Sequence, residues 1–103
     1  MKQIKIIMLF AAMLIATSAF AQGKFMVAGT VMDESGAPLI GVTVKCNDKS
    51  VSGVVTDLDG KFRVKDIPGN ATLDFTYLGY KKYSYKVNYN KEGLKVVLKQ
   101  DIG

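Results

Sequence analysis

Few residues in this chain could do chemistry. They are two aspartates one residue apart, Asp57 and Asp59, a lone Cys46, and five tyrosines, Tyr77, Tyr80, Tyr83, Tyr85 and Tyr89, interleaved with Lys81, Lys82 and Lys86. The chain has no histidine. Ser-His and Cys-His nucleophile pairs, histidine metal sites and the commonest general base are therefore excluded. The aspartates could chelate calcium, but an EF-hand loop places glycine sixth and glutamate twelfth. Counted from Asp57, Gly60 stands fourth and Leu58 fills a spacer. A carboxylate pair for glycoside hydrolysis needs one acid desolvated, and two aspartates in a single exposed turn lack that environment. The remaining reading of Asp57-Leu58-Asp59-Gly60 is structural. The aspartates hydrogen-bond nearby amides and Gly60 supplies a positive φ, so the turn closes a hairpin. No cofactor or metal site is expected.

Cys46 alternates in phase with Val42 and Val44, and no histidine or neighbouring motif would activate it. It reads as a small buried apolar residue. The tyrosines carry apolar area and a polar tip, which suits a sandwich core, a protein-binding face or stacking on carbohydrate. Alternation puts Tyr83, Tyr85, Val87 and Tyr89 on one core-facing side, while Tyr80 follows the break at Gly79. The candidate interaction face is Tyr80, Lys81, Lys82, Tyr83 and Tyr85.

The elements that must position these groups are strands. From Gly23 onward the sequence has a period of two. Phe25 to Met32 is apolar on both faces, and Val42, Val44 and Cys46 alternate with Thr43 and Lys45. Extended chain is expected again near Val51–Thr56, then through Phe62 and Val64 to Ile67. Three further stretches alternate: Leu73, Phe75 and Tyr77; Tyr83 to Tyr89; and Leu94, Val96 and Leu98. Turn formers separate them at Asp33–Pro38, Asn47–Ser50, Pro68–Asn70 and Asn90–Gly93. Seven short strands without a helical period predict an all-β fold, a seven-stranded antiparallel β-sandwich, with a small closed barrel as the alternative.

The first 21 residues stand apart. Lys2 and Lys5 precede the apolar run Ile6–Ala16, and Ala19 and Ala21 fit an A-x-A cleavage site. A signal peptide over residues 1–21 is expected, cleaved before Gln22, with one domain over residues 22–103. An uncleaved anchor is the rival, at the short end of the roughly 20 residues a spanning helix needs. Cys46 is too far from the cleavage point for a lipoprotein signal, and one cysteine makes no internal disulfide. The net charge of +5 includes the two leader lysines, and the rest of the basic residues are spread over alternating positions. No nucleic-acid partner is expected from so mild and dispersed a charge.

Four strings in order carry a resemblance: Gly29-Thr30-Val31, Gly36-Ala37-Pro38-Leu39-Ile40-Gly41-Val42-Thr43-Val44, Thr56-Asp57-Leu58-Asp59-Gly60-Lys61-Phe62 and Phe75-Thr76-Tyr77-Leu78-Gly79-Tyr80. Over about residues 24–99 the chain resembles the carboxypeptidase-regulatory-like domain. The version it resembles stands at the N-terminus of SusC/RagA-like TonB-dependent outer-membrane transporters. The resemblance implies a transthyretin-like (prealbumin-like) seven-stranded sandwich without catalytic activity, located in the periplasm or outer membrane of a Gram-negative bacterium. It also implies a protein partner in the cell envelope, a TonB-dependent transporter or its surface lipoprotein, and a link to glycan or peptide uptake. The chain ends near the point where a TonB-box would begin in the transporters, and the expected module is a fragment or a stand-alone copy. The alternative function is a free-standing carbohydrate-binding module using the tyrosine-rich strands.

Overall fold

Apolar residues at every second position cannot be buried by a lone strand, so the strands must pair into sheets and the sheets must stack. The computed structural model describes residues 24–102. The expected signal peptide, residues 1–21, lies outside them. Seven strands are present: β1 (Lys24–Met32), β2 (Thr43–Cys46), β3 (Val54–Val55), β4 (Lys61–Pro68), β5 (Thr72–Thr76), β6 (Tyr83–Lys86) and β7 (Lys91–Val97). They form a transthyretin-like sandwich of a three-stranded sheet, β4-β1-β7, and a four-stranded sheet, β3-β2-β5-β6. Val27, Val31, Val42, Val44, Ile67, Leu73, Phe75, Val87 and Val96 are fully buried between the sheets. The Phe75 ring meets Phe62 edge-on at a centroid distance of 5.1 Å.

One pairing departs from the antiparallel expectation. β1 and β7 run parallel, with Gly29 opposite Leu94 and Met32 opposite Val97. A hairpin would have made the pair antiparallel. Here β7 arrives from β6 in the opposite sheet, and that crossing leaves its direction free. The register shifts between Val27 and Gly29, and the Leu94 backbone comes very close to Gly29 there. A β-carbon on Gly29 would lie 2.0 Å from the Leu94 carbonyl oxygen. Gly29→Ala is expected to force the two strands apart and to cost about 2–3 kcal/mol, by the overpacking rule. Urea denaturation measures it; an unchanged midpoint contradicts the close approach.

Two other strands differ from expectation. β3 is only Val54–Val55, because Asp48 turns the chain upstream: its Oδ1 accepts from the Ser50 amide and hydroxyl. Val51 is buried from that loop rather than from a strand. β6 ends at Lys86, so Tyr89 falls in the following turn and is 58% exposed. Its neighbour Asn90 directs Oδ1 to the Met26 amide at 2.9 Å, which fastens this turn to β1. Cys46 is half-buried rather than buried, since it ends β2, and its Sγ accepts from the Asp48 amide at 3.5 Å.

The turns share one device, an aspartate accepting from the chain just ahead of it. Asp33 Oδ1 takes the amides of Ser35 and Ala37 and the Ser35 hydroxyl. The Ser35 hydroxyl and the Ala37 amide hold the Asp33 carboxyl below its ordinary value, and the Ser50 hydroxyl and amide do the same for Asp48. A carboxyl with a lowered folded pKa adds stability that is fully present above its unfolded pKa and is lost as pH falls through the folded one. The urea midpoint should therefore drop below about pH 4, the ordinary carboxylate range. In an Asp33→Asn, Asp48→Asn double variant that drop should be shallower; an equal drop in both proteins contradicts these two anchors.

Candidate functional site

The turn Asp57–Gly60 joins β3 to β4. Asp57 Oδ1 accepts from the amides of Asp59 and Lys61, each at 2.9 Å. The Gly60 amide donates to the Asp57 carbonyl, and the Asp57 amide to the Lys61 carbonyl. Asp59 enters through its amide. Gly60 has φ +74° and is packed tightly: a β-carbon there would sit 2.6 Å from the Val31 carbonyl oxygen. The Gly60 carbonyl in turn accepts from the Val31 amide at 2.8 Å. The turn is thus clamped to β1. The Asp57 carboxylate is taken up by the turn's own amides, and no cluster of three or more metal-ligating side chains occurs among the described residues.

Thr56, immediately before this turn, escaped the sequence reading as a functional position. It is 3% exposed, a buried polar side chain within the core. Its hydroxyl donates to the Leu39 carbonyl at 2.6 Å and accepts from the Val42 amide at 2.9 Å. Its own amide donates to the Val42 carbonyl, and its carbonyl accepts from the Gly41 amide. The second and third sequence strings are welded together at this residue. The available signal was a threonine at the inward position just before a turn, where valine would satisfy periodicity alone.

The tyrosine-rich stretch divides into two places. Tyr80 and Lys81 lie in the loop between β5 and β6, and the segment after β7 pins that loop to the other sheet. The Lys81 amide donates to the Lys99 carbonyl, and the Asp101 amide to the Gly79 carbonyl. Tyr80 is half-buried beside Tyr77, with ring centroids 5.5 Å apart and planes inclined by 42°. A hollow of roughly 490 Å³ groups these rings with Lys82, Thr43 and Leu78, the last 97% exposed.

Tyr83 and Tyr85 lie instead on β6, opposite Phe75 and Leu73 of β5. Residues directly opposite share a face, so both rings point toward the core from the last strand of their sheet. Tyr83 leans on Phe75 at 5.9 Å yet stays 37% exposed, and Tyr85 is half-buried. Burial pushes the Tyr85 hydroxyl above its ordinary value, with a smaller effect from Tyr89. Ser84 and Lys86 face outward, and the Ser84 hydroxyl donates to Asp74 at 2.6 Å. The face is therefore an open sheet edge, β6, beside a separate loop hollow. A larger hollow, roughly 670 Å³, lies across the sandwich, with Asp57, Lys61, Arg63 and Glu92 among its lining.

The family described as "CarboxypepD_reg-like domain" matches residues 27–102. Among known proteins the chain is 31% identical over 96 residues, 93% of its length, to the TonB-dependent receptor SusC of Bacteroides thetaiotaomicron. It is 35% identical over 101 residues, 97% of its length, to the TonB-dependent receptor P3 of Formosa agariphila. The chain spans 9% and 10% of those two relatives. Among solved structures, a cohesin–X-dockerin complex of Acetivibrio cellulolyticus superposes with a TM-score of 0.57 at 24% identity. That match covers 72% of this chain and 56% of the other, and it concerns the fold alone.

Proposed function

The chain belongs to the CarboxypepD_reg-like domain family, and from that premise we propose that it is an exported, non-catalytic interaction module of the kind that extends TonB-dependent receptors at the N-terminus. The observation that carries this reading is the similarity to two TonB-dependent receptors across nearly the whole chain. The polar groups support it too. Asp57 and Thr56 are committed to backbone hydrogen bonds, and their work is to hold two loops on the sandwich. The surfaces assigned to meet another molecule are the β6 edge and the neighbouring tyrosine loop. The module docks through them on an envelope protein, a TonB-dependent transporter or its surface lipoprotein, and residues 1–21 direct it there.

The test is a photoreactive residue at position 83, introduced in the native bacterium, with position 59 in the distant turn as control. Crosslinks from position 83 to a TonB-dependent transporter or its lipoprotein, missing at position 59, are expected. Equal or absent crosslinking overturns docking by this edge. A purified chain beginning at Gln22 supports a cleaved signal peptide, and one retaining Met1 opposes cleavage. Retardation in polysaccharide gels, lost in Tyr77→Ser and Tyr80→Ser, would move the assignment to a carbohydrate-binding module.

A further inference from the structure

The open side of β6 specifies the kind of chain that can pair with it. β6 is the terminal strand of its sheet. The Val87 amide donates to the Ala71 carbonyl, and the Val87 carbonyl accepts from the Asn70 amide. Backbone groups alternate sides along an extended strand, so Tyr83 and Tyr85 also bond inward to β5. The amides and carbonyls of Ser84 and Lys86 are consequently turned to the open side. Such a row is a template for one more strand.

The side chains decide which strand it takes. On the outer face stand Lys82, Ser84 and Lys86, all exposed. The nearby carboxylate is Asp74, which receives the Ser84 hydroxyl. On the inner face, Tyr85 packs against the core, while the exposed Tyr83 reaches it through its ring contact with Phe75. A second copy of this chain is disfavoured. Antiparallel pairing about Ser84 would set Lys82 of each copy against Lys86 of the other, and like charges directly opposite are destabilising.

We propose that β6 accepts, by strand addition, an extended segment of another protein in which acidic residues alternate with apolar ones. The acidic residues lie against Lys82 and Lys86, and the apolar ones cover Tyr83 and Tyr85. This rests on the docking reading above and names the chemistry of its partner.

The experiment uses fluorescence anisotropy with two short synthetic peptides, one alternating glutamate with valine and one alternating lysine with valine. The glutamate peptide should bind the purified chain about tenfold more tightly, since two cross-strand charge pairs change sign between the peptides. Raising the salt should narrow the gap. Ser84→Pro removes an outward amide and should abolish binding. Proline is tolerated on an open edge, and circular dichroism confirms that the sandwich persists. Should that variant fail to fold, Lys82→Glu with Lys86→Glu, both at exposed positions, supplies the second arm by reversing the preference. Equal affinity for both peptides, or a preference untouched by the charge reversal, overturns the proposal. If neither peptide binds while position 83 still crosslinks to its partner, the strand chemistry fails and the docking reading stands. If the glutamate peptide binds but position 83 crosslinks to nothing, the edge has the stated chemistry and the docking reading falls.

Discussion

Thr56→Val should unfold this protein far more readily than its near-isosteric shape suggests. Valine fills the same space, so no cavity opens and the β-branch is retained. What disappears is the hydroxyl between the Leu39 carbonyl and the Val42 amide, both bonded to it inside the protein. A buried polar group left without a partner costs roughly 1–3 kcal/mol, so two give about 2–6 kcal/mol. A domain of this size has in total about 4–12 kcal/mol of stability. The urea midpoint should fall by a large fraction of its value with little change in slope. Thr56→Ser, which keeps the hydroxyl and loses a methyl, should recover most of the loss. If valine and serine prove equally mild, the hydroxyl is not the link between the two loops.

Phe75→Ala has a different physical origin and a similar size. Phe75 is fully buried on β5, between Val44 of β2 and Tyr83 of β6 in register. Its ring makes edge contacts with Phe62 from the opposite sheet and with Tyr83 on its own. Truncation removes the transfer free energy of the ring and leaves a hole that two sheets cannot both collapse into. About 3–5 kcal/mol is expected. Phe75→Leu should cost less, about 1–2 kcal/mol, because most of the volume is kept. The measurement is urea denaturation with near-ultraviolet circular dichroism, which reports on the packed rings. Loss of the aromatic signal before the β signal would mean that the sheets survive without their central contact. A Phe75→Ala protein as stable as the parent would remove this ring from the core.

Much of this architecture was legible as alternation. A period of two says which side chains face inward, so seven strands and a buried apolar layer could be written down from Val27, Val44, Val64, Phe75 and Val96. Turn chemistry was legible in part: Asp-x-Asp-Gly spells out the hydrogen bonds that Asp57 makes, while those of Asp33 emerge only in the structure. Alternation is silent on neighbours and direction. Nothing in Leu94-Lys95-Val96 distinguishes a strand lying parallel to β1 from one lying antiparallel. Thr56 was invisible for a related reason: its importance lies in what stands across from it, 17 residues away in the Leu39 carbonyl. The tyrosines were grouped by nearness in sequence. A loop pinned by Lys99 and Asp101 separates Tyr80 from Tyr83, and a strand ending at Lys86 releases Tyr89.

The parallel β1–β7 pair also determines how the domain bears a load. The chain enters at the Lys24 end of β1 and leaves past the Val97 end of β7, beside Met32. Traction on the two ends therefore slides these strands past each other along their length, with the pull at right angles to the hydrogen bonds. The ladder from Val27 to Met32 is loaded all together rather than opened one rung at a time like a zipper. Single-molecule stretching between residues 24 and 102 should meet a high rupture force, and Gly29→Ala should lower it by spoiling the ladder. A force no greater than for peeling one sheet edge would refute this picture.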